Sequence, residues 1–576
     1  MPTRAEPGED GRLGRIRGAA RVIGAGAALM QAGAWRHLMN QDGMSYVDMA
    51  TAVTRGEGGV NGYWSPLYSW ILAAAFAIGR PSAYWEFAFV KLVNLLLFAV
   101  AFASFEFFLR ELLRRERTLD AARETSDAAV GRAPVEAWVW SALGYTLFLW
   151  CALRLTTVSV VTPDMCVVAA VFAATGALLR IQRGAGGPGA HIGLGLVLGL
   201  GYLAKAAMFP LAFVFLASAW LAGRRLARVG LAAAAFVLVA APWVVALSSE
   251  KGRPTFGDAG KITYAWFVTA AVPTWHWQGG PPGNGEALHP TRKLLDSPPV
   301  FAFAGPVGGT YPVWYDASYW YEGLRTRFVP GRQIAVLGGS GVDAVKLFLQ
   351  IMPGILILLA LSGPWRVVRR SLALQVPLLL PAVACLGMYA LVLLHLRYVA
   401  PFLVVLPMGV LAAVRFPASS SESQAGSRRL VAIASLFTAL VVGMEFAYYG
   451  ALDAGRLARD AVGRGQPHTQ HDIARALAAA GVRPGARVAT IDAAYDAYWA
   501  HLGRVRVIAE VPHDGVDTFW AAGDAGRRAV YDAFRAAGAA AVVTHDPPPW
   551  ASTREWVALG ATGWLLHRLT ASSSPP

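Results

Sequence analysis

Charge is scarce in this chain: Asp, Glu, Lys and Arg make up 15% of its 576 residues, where soluble domains run near about 25%. That shortage excludes an ordinary soluble enzyme. Hydrophobic residues reach 55%, the mean hydropathy is +0.43 and there are 20 Trp, the composition of a polytopic membrane protein. Acidic side chains are the scarcer sign, 36 against 51 Lys and Arg, and the resulting net charge of +15 raises the question of nucleic acid. The Arg residues, however, stand in short runs between apolar segments, where the positive-inside rule puts them, so topology explains the charge and no nucleic-acid partner is expected. Cysteine is nearly absent. Cys151, Cys166 and Cys385 each fall in an apolar segment without metal-ligand spacing, so they carry no assigned role and say nothing of redox compartment. A Gly-x-Gly-x-x-Gly loop is also missing, so no nucleotide site is expected.

Residues 1–17 form a polar N-terminus carrying Arg4, Arg12, Arg15 and Arg17, expected to be cytoplasmic. Residues 18–450 are expected to form a transmembrane domain of about eleven spans, and 451–576 an extracytoplasmic domain. The first apolar run, Val22 to Trp35, is expected to be an uncleaved span, not a signal peptide, because Arg36 and His37 flank it and many spans follow. Residues 39–83 then form a first outer loop with two juxtamembrane helices, the second over Ser65 to Ile78. Such a helix covers about 21 Å, short of the roughly 30 Å hydrocarbon core. Further spans are expected at Tyr84–Leu113, Val135–Ala152, Met165–Leu179, Ile192–Leu203, Met208–Leu221, Leu231–Leu247, Ala344–Leu361, Val376–Leu394, Val399–Val414 and Leu430–Tyr449. Arg clusters such as Arg110/Arg114/Arg115/Arg117, Arg224/Arg225/Arg228 and Arg415/Arg428/Arg429 then all fall on one side.

Two stretches break the pattern. Residues 248–343 are expected to be a large outer loop, rich in Gly, Pro and aromatics, with Trp275-His276-Trp277 and Tyr319-Trp320-Tyr321 among them. Loops of that length are functional or disordered, and this density of aromatics argues against disorder. In the C-terminal part, Arg487–Ile491, Arg506–Glu510 and Ala540–Thr544 read as strands, with helices near His471–Ala480 and Ala525–Ala537. Alternating strands and helices predict a small soluble α/β domain.

Chemistry is expected first in the outer loop. Tyr46, Met49, Ala50 and Val53 recur at i, i+3, i+4 and i+7, one apolar stripe of a short helix lying along the interface. Asp48 then faces away from the lipid, and Asp42 stands just before the helix as a candidate N-cap. A capping carboxylate and a solvated carboxylate are the bland readings of the pair.

A multi-span chain with Asp42-Gly-Met-Ser-Tyr46 followed by Trp64-Ser-Pro-Leu-Tyr68 resembles the GT-C superfamily of membrane glycosyltransferases, which includes protein O-mannosyltransferases and the aminoarabinose transferases that modify lipid A. Three further motifs are similar to ones in that group: Thr162-Pro-Asp164, Gly201-Tyr-Leu-Ala-Lys205 and Arg397-Tyr-Val-Ala-Pro401. The resemblance implies a polyprenyl-phosphate-sugar donor, an Asp of the first outer loop as general base, and transfer with inversion to a glycan, lipid or protein acceptor outside a bacterial plasma membrane. Gly43 stands where the group often has a second acidic residue, so the base is either Asp42 or Asp48.

The leaving lipid phosphate gathers charge that cations must meet, and Lys205, Arg397 and Arg154 are the candidates. Asp164, Tyr46, Tyr68, His276, Trp275 and Trp277 are candidates for the acceptor and sugar side, because aromatic faces suit sugar C–H groups. Each has a plainer reading: snorkelling for Lys205, anchoring for the aromatics, capping for Asp164. No resident cofactor is assigned. A divalent cation on Asp42 and Asp164 is conceivable, but hard cations need more oxygen ligands than the sequence offers there. Two other classes compete. A transporter or flippase of lipid-linked intermediates calls for ionisable residues deep in spans or paired broken helices; a non-catalytic envelope assembly protein would depend on its C-terminal domain and not on Asp42.

Overall fold

A computed structural model describes residues 7–57, 60–124, 135–270, 276–303, 305, 308–319, 321–361, 365–414, 421–465 and 467–569. Trp275, together with Arg4, Trp320 and Arg415, lies outside the described residues. In chain order the helices are α1 (Pro7–Ala34), α2 (Gln41–Thr54), α3 (Pro66–Gly79), α4 (Glu86–Glu124), α5 (Ala137–Trp150), α6 (Asp164–Gln182), α7 (Pro188–Ala204), α8 (Met208–Gly223), α9 (Leu226–Lys251) and α10 (Ala259–Phe267). They continue with α11 (Pro312–Tyr315), α12 (Pro330–Ile351), α13 (Pro353–Leu361), α14 (Trp365–Ala390), α15 (Leu396–Val399), α16 (Phe402–Leu411) and α17 (Ser421–Ala461). The last four are α18 (Thr469–Ala479), α19 (Tyr498–Leu502), α20 (Val516–Ala521) and α21 (Asp524–Ala536).

Among the described residues, seven helices are long and apolar enough to cross a membrane, and four shorter apolar helices, α3, α7, α8 and α16, bring the apolar set to eleven. The protein is a polytopic α-helical membrane protein, as its composition requires. Chain contacts divide it into two compact units. The first comprises Met1–Trp35, Lys91–Phe256 and Val329–Gly465 and is helical, with α7 packed on α9 and α6, α5 on α17, and α14 on α8 and α16. Aromatic packing fixes its interior: Phe105, Phe148 and Phe172 are mutually in contact, with Phe105 and Phe148 stacked at 4.6 Å between ring centroids.

Several helix boundaries differ from the sequence expectation; α4 runs on to Glu124, α14 starts at Trp365, and the span expected over Val399–Val414 is divided between α15 and α16. The run from Val22 forms the C-terminal half of the longer α1, which starts at Pro7 and ends at Ala34, one residue before Trp35. The single span expected over Ala344–Leu361 is two helices: α12 ends at Ile351 and α13 starts at Pro353, whose missing N–H and bulky ring stop the preceding helix. Finally, α17 runs for 41 residues, well past the expected Leu430–Tyr449.

The second unit comprises Arg36–Val90, Gly257–Phe328 and Gln466–Pro576. Its sheet contains β1 (Arg292–Leu295), β2 (Val300–Ala302), β3 (Arg487–Ile491), β4 (Arg506–Val511), β5 (Ala541–His545), β6 (Val557–Ala558) and β7 (Trp564–Arg568), in the order β1-β2-β4-β3-β5-β7-β6. The central pairs β3–β4 and β3–β5 are parallel, and the outer pairs are antiparallel. β1 and β2 come from the aromatic loop, so that loop supplies one flank of the sheet; its connecting stretch is also shorter than expected, because α9 reaches Lys251 and α12 starts at Pro330. Alternation in β3–β5 sends Ile491, Val511 and Val542 into a core closed by Val530, Tyr531 and Phe534 of α21 and by Phe519 and Trp520 of α20. Burying each such side chain stabilises by roughly 1.5–3 kcal/mol.

Candidate functional site

In the helical unit, three residues far apart in sequence meet. Asp164 opens α6 from its first turn, where a carboxylate complements the positive end of the helix dipole. Lys205 is the residue at which α7 stops; its backbone leaves the helix for an extended conformation, φ −154° and ψ 125°. Arg397 lies in the single turn α15, capped by the His395 side chain. Lys205 Nζ donates to Asp164 Oδ1 at 2.6 Å, and Arg397 Nε stands 3.6 Å from Asp164 Oδ2. Thr162 Oγ1 donates to the same Oδ2 at 3.0 Å. Tyr398 closes the cluster: Lys205 Nζ sits 3.6 Å from its ring centroid and Arg397 Nη2 donates to its hydroxyl at 3.3 Å.

The carboxylate is 3% exposed, whereas Lys205 and Arg397 keep 22% and 21% of their side-chain surface open. One buried anion therefore orients two partly open cations, and the cluster carries a net positive charge beside a helix N-terminus, an arrangement suited to an anion. Arg154 is not part of it. It lies in a π turn after α5, pairs with Glu445 of α17 at 2.9 Å and stacks on Tyr449 at 3.7 Å. Trp150 Nε1 and Gln350 Nε2 also donate to Glu445, so that carboxylate joins α5, α12 and α17.

In the second unit, Asp42 occupies the first turn of α2, with Asn40 as N-cap residue. The sequence placed Asp42 just outside the helix; α2 starts at Gln41, two residues earlier than that implies, and takes Asp42 into its first turn. Asp42 is half-buried, while Asp48 is 3% exposed, so the bland reading of Asp48 as a solvated carboxylate does not hold. The reason is tertiary. Ser45 donates to the carbonyl of Trp314, and Asp48 accepts from Thr310 through both its N–H (2.7 Å) and its hydroxyl (2.8 Å), so a distant segment covers the polar face of α2.

Asp48 also binds His501 Nδ1 at 2.7 Å, and the other ring nitrogen faces Glu86. Arg504 Nη2 donates to Glu86 at 2.6 Å, completing a line Asp48–His501–Glu86–Arg504. Burial works against a charged His501 ring, but the Glu86 charge and the hydrogen bonds to Asp48 and Glu86 outweigh it and raise its pKa to about 9. Thr310, His501, Glu86 and Arg504 had no motif to announce them; the one signal was Glu86, an acidic residue opening a long apolar run.

Tyr46 is packed edge-on to Trp64 and Tyr68 at 5.2 and 5.4 Å, and Ser69 ties α3 to the Tyr46 carbonyl at 3.1 Å. His276 lies stacked on Phe301 at 4.1 Å, with Nε2 2.8 Å from Glu510 and Nδ1 3.0 Å from Thr291, so it ties the aromatic loop to β4. Trp277 is buried and donates to the Gly280 carbonyl at 2.7 Å. Among the described residues, no group of three or more His, Cys, Asp or Glu is arranged to hold a metal ion.

No protein-family model matches this sequence, and no curated protein sequence matches it either. Solved structures do. The crystal structure of ArnT from Cupriavidus metallidurans bound to undecaprenyl phosphate superposes with a TM-score of 0.53 over 98% of this chain and 99% of that one, at 13% identity. The apo state of the same protein gives a TM-score of 0.51 over 96% and 98%, at 14% identity. At such identity the likeness is one of architecture: from nearly end to end, the chain has the fold of that protein.

Proposed function

We propose that this protein is a membrane glycosyltransferase that moves a sugar from a polyprenyl-phosphate donor to a glycan, lipid or protein acceptor on the outer side of a bacterial inner membrane. The observation that carries the proposal is the convergence of Asp164, Lys205 and Arg397, which belong to three separate motifs, into one positively charged cluster. A lipid phosphate is the kind of anion that cluster suits, and the undecaprenyl phosphate held by ArnT, which shares the fold, supports the same chemistry.

In this reading Lys205 and Arg397 hold the donor phosphate and meet the charge that grows as the anomeric C–O bond breaks. Asp164 keeps both cations in position. Arg154, joined to Glu445, has a structural role. The acceptor hydroxyl attacks the anomeric carbon opposite the phosphate, which inverts that centre, and its proton passes to a carboxylate. Asp42 is the better base because it is partly exposed at a helix start, whereas Asp48 is buried at 3% exposure. Tyr46 and Tyr68 shape the loop around it.

The test is turnover of a polyprenyl-phosphate sugar by purified protein in lipid, with Asp42→Asn and Asp48→Asn beside wild type and the anomeric configuration of the product read by NMR. Loss of turnover in a normally folded Asp42→Asn protein and an inverted product support the reading. A fully active Asp42→Asn protein, or a retained configuration, overturns the assigned mechanism.

A further inference from the structure

The basic end of α4 forms a second cationic site that the proposed transfer does not use. A cavity of about 390 Å³ opens there, lined by Leu13 and Arg17 of α1, by Glu106, Leu109, Arg110, Leu113, Arg114 and Arg117 of α4, and by Tyr145 of α5. The α4 residues follow i, i+3, i+4, i+7, i+8 and i+11, so they share one helix face. Arg110, Arg114 and Arg117 stand three or four apart, a spacing at which like charges weaken a helix. The positive-inside rule asks only for cations near this end; it does not ask for them to line one cavity.

The cavity's acid is already occupied. Arg21 grips Glu106 with two hydrogen bonds of 2.8 and 2.7 Å, and the Tyr145 hydroxyl adds a third at 3.1 Å. Arg114 pairs with Glu111 at 3.0 Å. Arg110 and Arg117 have no carboxylate within ion-pair distance among the described residues. The depth also fits. From Phe87 to Phe108 the helix rises about 32 Å, close to the roughly 30 Å hydrocarbon core, so Leu109 to Arg117 lies at the level of lipid headgroups. Apolar Leu13, Leu109 and Leu113 stand beside cations at the boundary where acyl chains give way to phosphates.

We infer that this cavity binds an anionic glycerophospholipid of the leaflet at the basic end of α4, with the phosphate on Arg110 and Arg117 and the acyl chains against the leucines. Charge complementarity selects the headgroup, and the leucines select an amphiphile over a free phosphate ion.

The experiment uses the full chain in mild detergent and fluorescent short-chain phosphatidylglycerol, with phosphatidylcholine of the same tail, inorganic phosphate and polyprenyl phosphate as competitors. Each basic side chain at a membrane surface strengthens attachment by roughly fivefold, so Arg110→Gln with Arg117→Gln is expected to weaken phosphatidylglycerol binding by about 30-fold. Lys at both positions is expected to restore most of it, and rising salt is expected to weaken the wild type, which needs no variant. Equal binding of phosphatidylcholine, unchanged binding in the Gln variant, or salt-independent binding overturns the site. Stronger competition by polyprenyl phosphate, or effective competition by inorganic phosphate, overturns the assignment to a glycerophospholipid.

Discussion

Raising the pH above neutrality should loosen the second unit through one residue. His501 bridges Asp48 and Glu86, and its pKa stands at about 9 against an ordinary 6.5. A base with a raised folded pKa contributes stability that is fully present below about 6.5 and disappears as pH climbs through about 9. A shift of that size is worth roughly 3 kcal/mol at about 1.4 kcal/mol per pH unit. Once the ring is neutral it keeps one N–H and donates to Asp48 or to Glu86 but not to both, so one carboxylate is left facing a bare ring nitrogen. The assay is thermal unfolding of the detergent-solubilised protein followed by tryptophan fluorescence between pH 6 and 10, wild type beside His501→Asn. The wild type should lose stability steeply between about pH 6.5 and 9, and the variant should begin lower and stay nearly flat over that interval. Parallel curves would refute the assignment of a charged His501 to this network.

Other consequences can be measured with the same preparation. Asp48→Asn should lower the melting temperature by removing the charge opposite His501, while Asp42→Asn should leave melting unchanged and cut turnover by about 10²-fold or more. Lys205→Ala should slow donor cleavage by about 10²-fold, whereas Arg154→Gln should act on stability, by leaving Glu445 without its cation, and change turnover little in protein that still folds. His468 gives a pH effect of opposite sense. Burial, and then the neighbouring His37 and His471, push its pKa down to about 4, so stability should fall as pH drops from about 6.5 towards 4, and His468→Gln should remove that slope in acid melting curves.

Most of the architecture was legible because its signals are long. Apolar runs bounded by Arg clusters announced the helices, and β3, β4 and β5 coincide with the expected strands to within a residue. The rest was hidden for physical reasons. β2 has three residues and β1 four, too few for an alternation to show, and they sit in a Pro- and Gly-rich loop. β7, Trp-Leu-Leu-His-Arg, follows Gly563 without an alternating pattern. For Asp48 the sequence indicated only a face turned from the lipid, because local periodicity does not see Thr310, which arrives from 262 residues away. His501 carries no motif at all; its role exists only once Asp48, Glu86 and Arg504 surround it. By contrast, Lys205 and Arg397 were marked by their motifs and by their place at the ends of apolar segments, where a charge is costly without a partner.

The most direct test of the account offers wild-type protein in liposomes a panel of radiolabelled polyprenyl-phosphate sugars with crude envelope acceptors and follows free polyprenyl phosphate. Consumption of one donor, matched by label in an acceptor and abolished by Lys205→Ala, is the predicted result. If no donor is cleaved by protein that melts normally and retains its fold, the transferase reading is contradicted.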